Sequence, residues 1–205
     1  MGFQDWKWIG ETEYFQQSEE KAYQGDLSLR IDRQRDYRTE NMAVLKQSID
    51  DEPSEARLET HFYSDGGVNS FGMVFRWQNE DNFYAVDGRT LTSGGRTQNI
   101  GLYKKINGQD NNITRIGGQN THPDDDTWTQ FRCTAFITEG DLHVRPEFRS
   151  PSGEWARYND DKDLIDPDPE LEDGGGVGMV FYNPSSAARG TDSFYLDQTR
   201  IYYDQ

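Results

Sequence analysis

Residues 72–89, GMVFRWQNEDNFYAVDGR, constrain this chain more than any other stretch, because two apolar and aromatic runs flank a short polar turn. Strand alternation sets Phe71, Met73, Phe75 and Trp77 on one face and Gly72, Val74 and Arg76 on the other, the period of two that a half-buried strand requires. The polar run from Gln78 to Asn82 reverses the chain, and Phe83 to Val86 returns, so the stretch reads as a β-hairpin. Nearly the same hexapeptide recurs as GMVFYN at Gly178 to Asn183.

The rest of the chain follows the same grammar. Strands are expected at Phe15–Glu20, Ser28–Arg33, Ala43–Gln47, Ala56–Tyr63, Phe71–Trp77, Phe83–Asp87, Gly101–Ile106, Ile113–Ile116, Trp128–Thr138, Leu142–Arg149, Trp155–Tyr158, Val177–Tyr182 and Ser193–Tyr203. Turn residues tolerant of positive φ separate them at Ser64-Asp65-Gly66-Gly67, Asn107-Gly108, Glu139-Gly140-Asp141 and Ser150-Pro151-Ser152-Gly153. Pro146 cannot donate to a ladder, which places it at an edge or a bulge. No segment holds a 3.6-residue apolar period; Glu40 to Ile49 reads as a strand through Met42 and Val44 equally well. The 205 residues suit one large all-β domain, and a chain 33% hydrophobic and 13% aromatic with 20 glycines builds its core from short strands and rings.

The paired glycine-initiated strands running into aromatics resemble those of laminin-G/concanavalin A-like sandwich domains. Trp128 to Trp155 resembles the strand, Gly-Asp turn, strand and Gly-Glu-Trp entry of the same domains. The resemblance implies an antiparallel β-sandwich of jelly-roll type filling residues 1–205 as a single domain. It does not fix the activity, since that superfamily holds lectin-like binders, adhesion modules, glycosidases and capsid appendages. The ends of the chain, GFQDW from Gly2, GDLSLRID from Gly25 and SFYLDQTRIYY from Ser193, resemble jelly-roll carbohydrate-binding modules. In those modules the first and last strands pair around a structural calcium. Carried over, that implies Ca2+ held by the Asp197 side chain, the Gly25 carbonyl and a side chain at Gln4 or Asp5, hard oxygen donors of the type calcium accepts. An amide at Gln4, where the family usually has an acid, lowers the charge of that set.

Charge excludes one class of partner. With 37 acidic and 21 basic residues the formal net charge is −16, and such a surface repels the phosphates of a nucleic acid. Only six of the basic residues are lysines, and acid-rich, lysine-poor surfaces suit a saline medium, which points to a halophilic source. The single cysteine, Cys133, lies in phase with Phe131 and Ala135 and is expected to be a buried small hydrophobe. The start, Met1 to Trp6, lacks the charged and apolar regions of a secretion signal, Trp6 stands where a myristoylation motif has Ser or Thr, and no run reaches transmembrane length. Membrane insertion is not expected. An extracellular or virion-surface location then requires a removed signal, an excised domain, or exit inside a particle.

Neither Asp124-Asp125-Asp126 nor the loop Asn159 to Asp173 fits a calcium-loop template, and both are expected to be solvated. Glycosidases of this class carry carboxylates at alternating strand positions, and their Glu-x-Asp-x-x-Glu pattern is absent; Glu170-Leu171-Glu172 lies in a loop. His61, His122 and His143 are scattered, without a nucleophile or zinc spacing around them. Sugars present apolar C–H faces to aromatic rings and hydroxyls to Arg, Asp and Asn. Trp77, Tyr84, Asp87 and Arg89 around one hairpin meet that description, with Trp155 and Tyr103 as second choices, while Trp6 and Trp8 are expected to pack over a sheet edge. The sequence thus points to a non-catalytic recognition or adhesion module for cell-surface or polymeric carbohydrate. The alternatives are a structural virion appendage contacting other virion proteins or itself, and a glycoside hydrolase of the concanavalin A-like class.

Overall fold

The computed structural model describes residues 5–10, 15–32, 41–45, 55–64, 69–90, 98–119, 127–149, 153, 155–157, 162–171, 175–182 and 193–203. In chain order their strands are β1 (Trp6–Ile9), β2 (Phe15–Ser18), β3 (Ser28–Asp32), β4 (Asn41–Leu45), β5 (Glu55–Ser64), β6 (Asn69–Asn79), β7 (Asn82–Thr90), β8 (Gln98–Ile106), β9 (Gln109–Gln119), β10 (Thr129–Thr138), β11 (Asp141–Arg149), β12 (Trp155–Arg157), β13 (Leu164–Asp166), β14 (Gly176–Tyr182) and β15 (Ser193–Tyr203). They form two antiparallel sheets packed face to face. One runs β1-β4-β14-β6-β7-β8-β9, the other β12-β11-β10-β5-β15-β3-β2, with β13 also pairing β11.

Alternation builds the core between the sheets. Phe62, Phe131, Phe148, Phe194 and Leu58 point inward from the eight-stranded sheet and meet Met73, Phe75, Tyr84, Leu102 and Met179 from the seven-stranded one. The outward positions of the eight-stranded sheet are polar, with Arg57, Glu59 and His61 on β5 between inward Ala56, Leu58, Thr60 and Phe62. The seven-stranded sheet differs: Val44, Val74, Phe83, Ala85 and Val180 form a second buried apolar cluster apart from the main core. This is why β4, β7 and β14 read as continuous apolar runs rather than alternating ones.

The two GMVF repeats lie side by side, Met73 opposite Met179 and Phe71 opposite Phe181. Gly178 is required there, since a Cβ would lie 2.0 Å from the Ala43 carbonyl oxygen on β4. Asn107-Gly108 and Glu139-Gly140 form tight turns with positive φ at both residues, as expected from sequence. Pro146 falls in the gap between the two short partners of β11, β13 at Leu142–Val144 and β12 at Glu147–Arg149, so its position is locally an edge. Cys133 is fully buried, and burial pushes its thiol up.

Three expectations are corrected. β15 pairs with β3 and β5, while the first strand pairs with β4 in the other sheet. The sequence WKWI is apolar on both faces, with Trp6 in the main core and Ile9 in the second cluster, and only the doubly buried sheet accommodates both. Trp77 does not share a face with Phe75. Arg76 adopts φ 49° in a β-bulge between Phe75 and Asn79, which adds a residue and turns Trp77 onto the second apolar cluster. The segment Asp166 to Glu170 is not a freely solvated loop: Asp166 is 3% exposed and Leu171 is buried.

Candidate functional site

Among the described residues of the hairpin, Tyr84 and Trp77 do not share a surface: Tyr84 faces the main core and Trp77 the second apolar cluster. Tyr84 is fully buried in the main core, stacked on Phe75 with ring centroids 5.6 Å apart. Its hydroxyl donates to Asp166 Oδ2 at 2.9 Å and accepts from the Glu170 amide at 3.0 Å. Lys104 Nζ meets the same group, 3.1 Å from Asp166 Oδ2, 3.0 Å from Glu170 Oε1 and 3.0 Å from the Asp168 carbonyl. Burial opposes the Lys104 charge, but hydrogen bonds to Glu170 and Asp166 outweigh it and its pKa rises to about 12. Burial drives Tyr84 up to about 12 as well. These contacts strap residues 164–171 across the gap between the sheets.

Trp77 is half-buried, with Lys7 Nζ 4.5 Å from its ring centroid and its indole Nε1 buried without a partner among the described residues. The side chains of Asp87 and Arg89 lie outside the described residues; in the backbone ladder they stand opposite Gly72 and Ser70. Trp155 sits on β12 at the rim of the eight-stranded sheet, one ring face covered by Arg132, whose Cζ is 4.1 Å from the centroid and whose Nε bonds Glu147 Oε2 at 2.7 Å. Tyr103 packs edge-on to Phe83.

A more complete constellation lies on the far side of the sandwich, where the edge strand β1 faces β2, β3 and β15 across the open margin between the sheets. A slot of about 310 Å3 opens there, lined by Trp6 and Trp8 on one wall and by Gln17, Ser28 and Asp197–Arg200 on the other. Trp6 and Trp8 share a strand face, and Trp8 leans on Phe15 with centroids 5.0 Å apart. β15 is bulged at the slot: its register with β5 shifts between Asp197 and Arg200, and Gln198 adopts φ 53°. Bulges of this kind re-aim side chains and gather at functional sites. Ser28 is 6% exposed, and its Oγ has no hydrogen-bond partner among the described residues. A buried hydroxyl without a partner costs about 1–3 kcal/mol. Thr199 Oγ1 is held by Thr60 Oγ1 at 2.8 Å, and Arg200 Nη2 donates to Gln198 Oε1 at 3.3 Å.

Asp197 lines this slot and also locks the loop that precedes β3. Its Oδ2 accepts from the Tyr23 and Gln24 amides, each at 2.9 Å, and its Oδ1 from the Gln198 amide at 2.7 Å. The Tyr23 ring stacks on His61 with centroids 3.8 Å apart; burial lowers the His61 pKa against the pull of Asp197. Gly25, at φ 81°, and Asp5 are both exposed. Asp197 and the Gly25 loop are therefore neighbours, with three amide N–H groups directed at the Asp197 carboxylate.

Trp6 and Trp8 are legible in the sequence as a same-face aromatic pair, yet a pair of that kind reads as packing. Nothing local marks Ser28, Gln198 or Lys104, whose roles come from strands distant in sequence.

No protein-family model and no curated protein matches the chain. Solved structures do. A GH16 protein of Bacteroides ovatus in complex with a product superposes with a TM-score of 0.60 at 8% identity over 98% of this chain and 96% of that one. The legume lectin-like domain from Entamoeba histolytica gives 0.57 at 10% identity over 98% and 91%. The fold is that of the concanavalin A-like jelly rolls. The GH43 BlXynB protein from Bacillus licheniformis gives 0.55 at 13% identity, and this jelly roll spans 38% of its length while all of the present chain is covered.

Proposed function

We propose that the domain is a non-catalytic carbohydrate-recognition module whose ligand enters the slot between β1 and β15. The observation that carries the reading is a slot walled by Trp8 and the buried Trp6 beside Ser28, whose Oγ has no hydrogen-bond partner among the described residues. Indole faces take the C–H faces of a sugar ring, and a hydroxyl lacking a partner recognises a sugar hydroxyl. The likeness to a lectin-like domain supports the same class of ligand. A glycosidase needs two carboxylates facing one bond, and the Glu-x-Asp-x-x-Glu pattern of the concanavalin A-like glycosidases is absent from the sequence. The proposal extends to an adhesion role at a cell-envelope or virion surface in a saline medium, supported by the 37 acidic against 21 basic residues. Calcium at Asp197 is a further proposal, resting on the resemblance of the chain ends.

S28A separates this reading from a merely structural pocket. Removing an unpartnered hydroxyl should raise the melting temperature of the free protein and weaken glycan binding about tenfold, measured by calorimetric titration against a panel of mono- and oligosaccharides. Binding equal to wild type would remove the slot as the site, and no saturable binding of any sugar would remove the recognition function.

A further inference from the structure

We propose that the outer face of the eight-stranded sheet carries a second glycan site, a flat platform for an internal stretch of an extended polysaccharide, with Tyr23 and Trp155 as its stacking rings. It shares the carbohydrate reading of the slot, but its contact residues are not those lining the slot, so either site can fail alone.

One row of the ladder crosses the sheet on this face. His61 on β5 stands opposite Gln130 on β10, Gln130 opposite Arg149 on β11, and Arg149 opposite Trp155 on β12. Residues directly opposite one another share a face, and here it is the outward one, since the adjacent Phe62, Phe131 and Phe148 point into the core. Neighbouring strands lie about 4.8 Å apart, so three steps carry the row about 14 Å, enough for several pyranose rings end to end.

The ring at each end is held from beneath. The loop between β2 and β3 is tied across the sheet by Glu20, which accepts from the Tyr195 hydroxyl at 2.7 Å, by Lys21, which donates to the Tyr63 hydroxyl at 2.8 Å, and by the Tyr23 and Gln24 amides on Asp197. These contacts set the Tyr23 ring nearly parallel to His61, with centroids 3.8 Å apart, and edge-on to Trp128 at 5.8 Å, yet Tyr23 remains 49% exposed. An aromatic ring so fixed and still half open loses little freedom when a ligand covers it. At the other end Trp155 rests on Arg132, whose position Glu147 fixes. Between the rings, Gln130 and the exposed Arg149, whose Nε donates to the Gly153 carbonyl at 2.9 Å, offer a planar amide and a planar guanidinium to sugar hydroxyls. Rings separated by such groups suit a sugar chain, whereas a protein-binding face has a contiguous apolar centre, and no residue of this row is aliphatic.

The test is calorimetric titration of wild type, Y23A, W155A and S28A with cello-, xylo- and chito-oligosaccharides from mono- to hexasaccharide, with the melting temperature and sedimentation of each variant recorded. In at least one series wild-type affinity should rise at least about tenfold between disaccharide and hexasaccharide. Y23A and W155A should each remove most of that rise while melting within a few degrees of wild type, and S28A should keep it. If Y23A loosens the loop and melts early, W155A on a different strand still decides. Affinity that does not grow with chain length, or a rise that persists in both Y23A and W155A, overturns the inference and leaves the slot standing. A rise lost in S28A alone would overturn it by seating the whole chain in the slot. Self-association of wild type that Y23A and W155A abolish would overturn it too, by showing a protein interface on this face. If S28A changes nothing while Y23A and W155A lose the rise, the platform stands and the slot falls; if no sugar binds, both fall.

Discussion

Asp197 shows how far one side chain's role depends on its donors. Three amides converge on it, two from a loop more than 170 residues away in sequence, and together they tie that loop to β15. D197A should therefore destabilise the domain by about 2 kcal/mol, the scale of hydrogen bonds to a charged acceptor. Thermal melts with and without excess chelator then decide the calcium proposal. Under the hydrogen-bonding clamp alone, chelation leaves the wild-type melting temperature unchanged, whereas a fall that D197A abolishes would establish the ion. At this scale the sequence is legible in part. The burial of Cys133 follows from strand neighbours that share its phase; that of Tyr84 does not, because alternation says which residues share a face but not which face the second sheet covers.

At the scale of the element, the strap at residues 164–171 differs most from the expectation. Its acids and prolines look like a solvated loop, and only the tertiary arrival of Lys104 from β8 and Tyr84 from β7 makes Asp166 a buried counter-ion. Lys104 and Tyr84 both have folded pKa values of about 12, above their ordinary 10.5 and 10.0. Raised values stabilise the fold fully below the unfolded values, so this contribution is intact below about pH 10 and lost as pH climbs through about 12. Urea midpoints measured from pH 8 to 12 should fall across that window. K104M leaves Asp166 buried without a counter-charge and should cost about 3–5 kcal/mol, and pairing it with D166L should recover most of the loss. The bulge at Arg76 is equally hidden: one extra residue in β6 breaks the phase between Phe75 and Trp77, and the glycines that admit it, Gly175 and Gly176, lie about a hundred residues further on.

For the whole molecule, architecture is the most legible level, since period-two strands and Asn-Gly or Glu-Gly turns are local signals that survive any tertiary context. Membership is not: β1 and β13, at 4 and 3 residues, are too short to show a period, and which sheet β1 joins is decided by the double burial of its neighbours. Net charge acts at this scale too. Thirty-seven acids against 21 bases repel one another, and the Debye length is already near 8 Å at physiological salt. A halophilic protein should keep gaining melting temperature from about 1 M KCl upward, where simple screening is exhausted; a plateau below that would mark an ordinary acidic protein.

The neighbouring GMVF strands also set a timetable. β6 finds β14, and β5 finds β15, only after more than a hundred further residues have been added. At roughly 5–20 residues per second of synthesis, an apolar seam waits on the order of ten seconds for its partner. The central strand of each sheet is thus completed from the chain's last quarter, so the nascent N-terminal part cannot close a sandwich by itself. High contact order of this kind makes folding slow and largely post-translational, and a cell producing the domain must shield those unpaired strands from one another until the final strand has emerged.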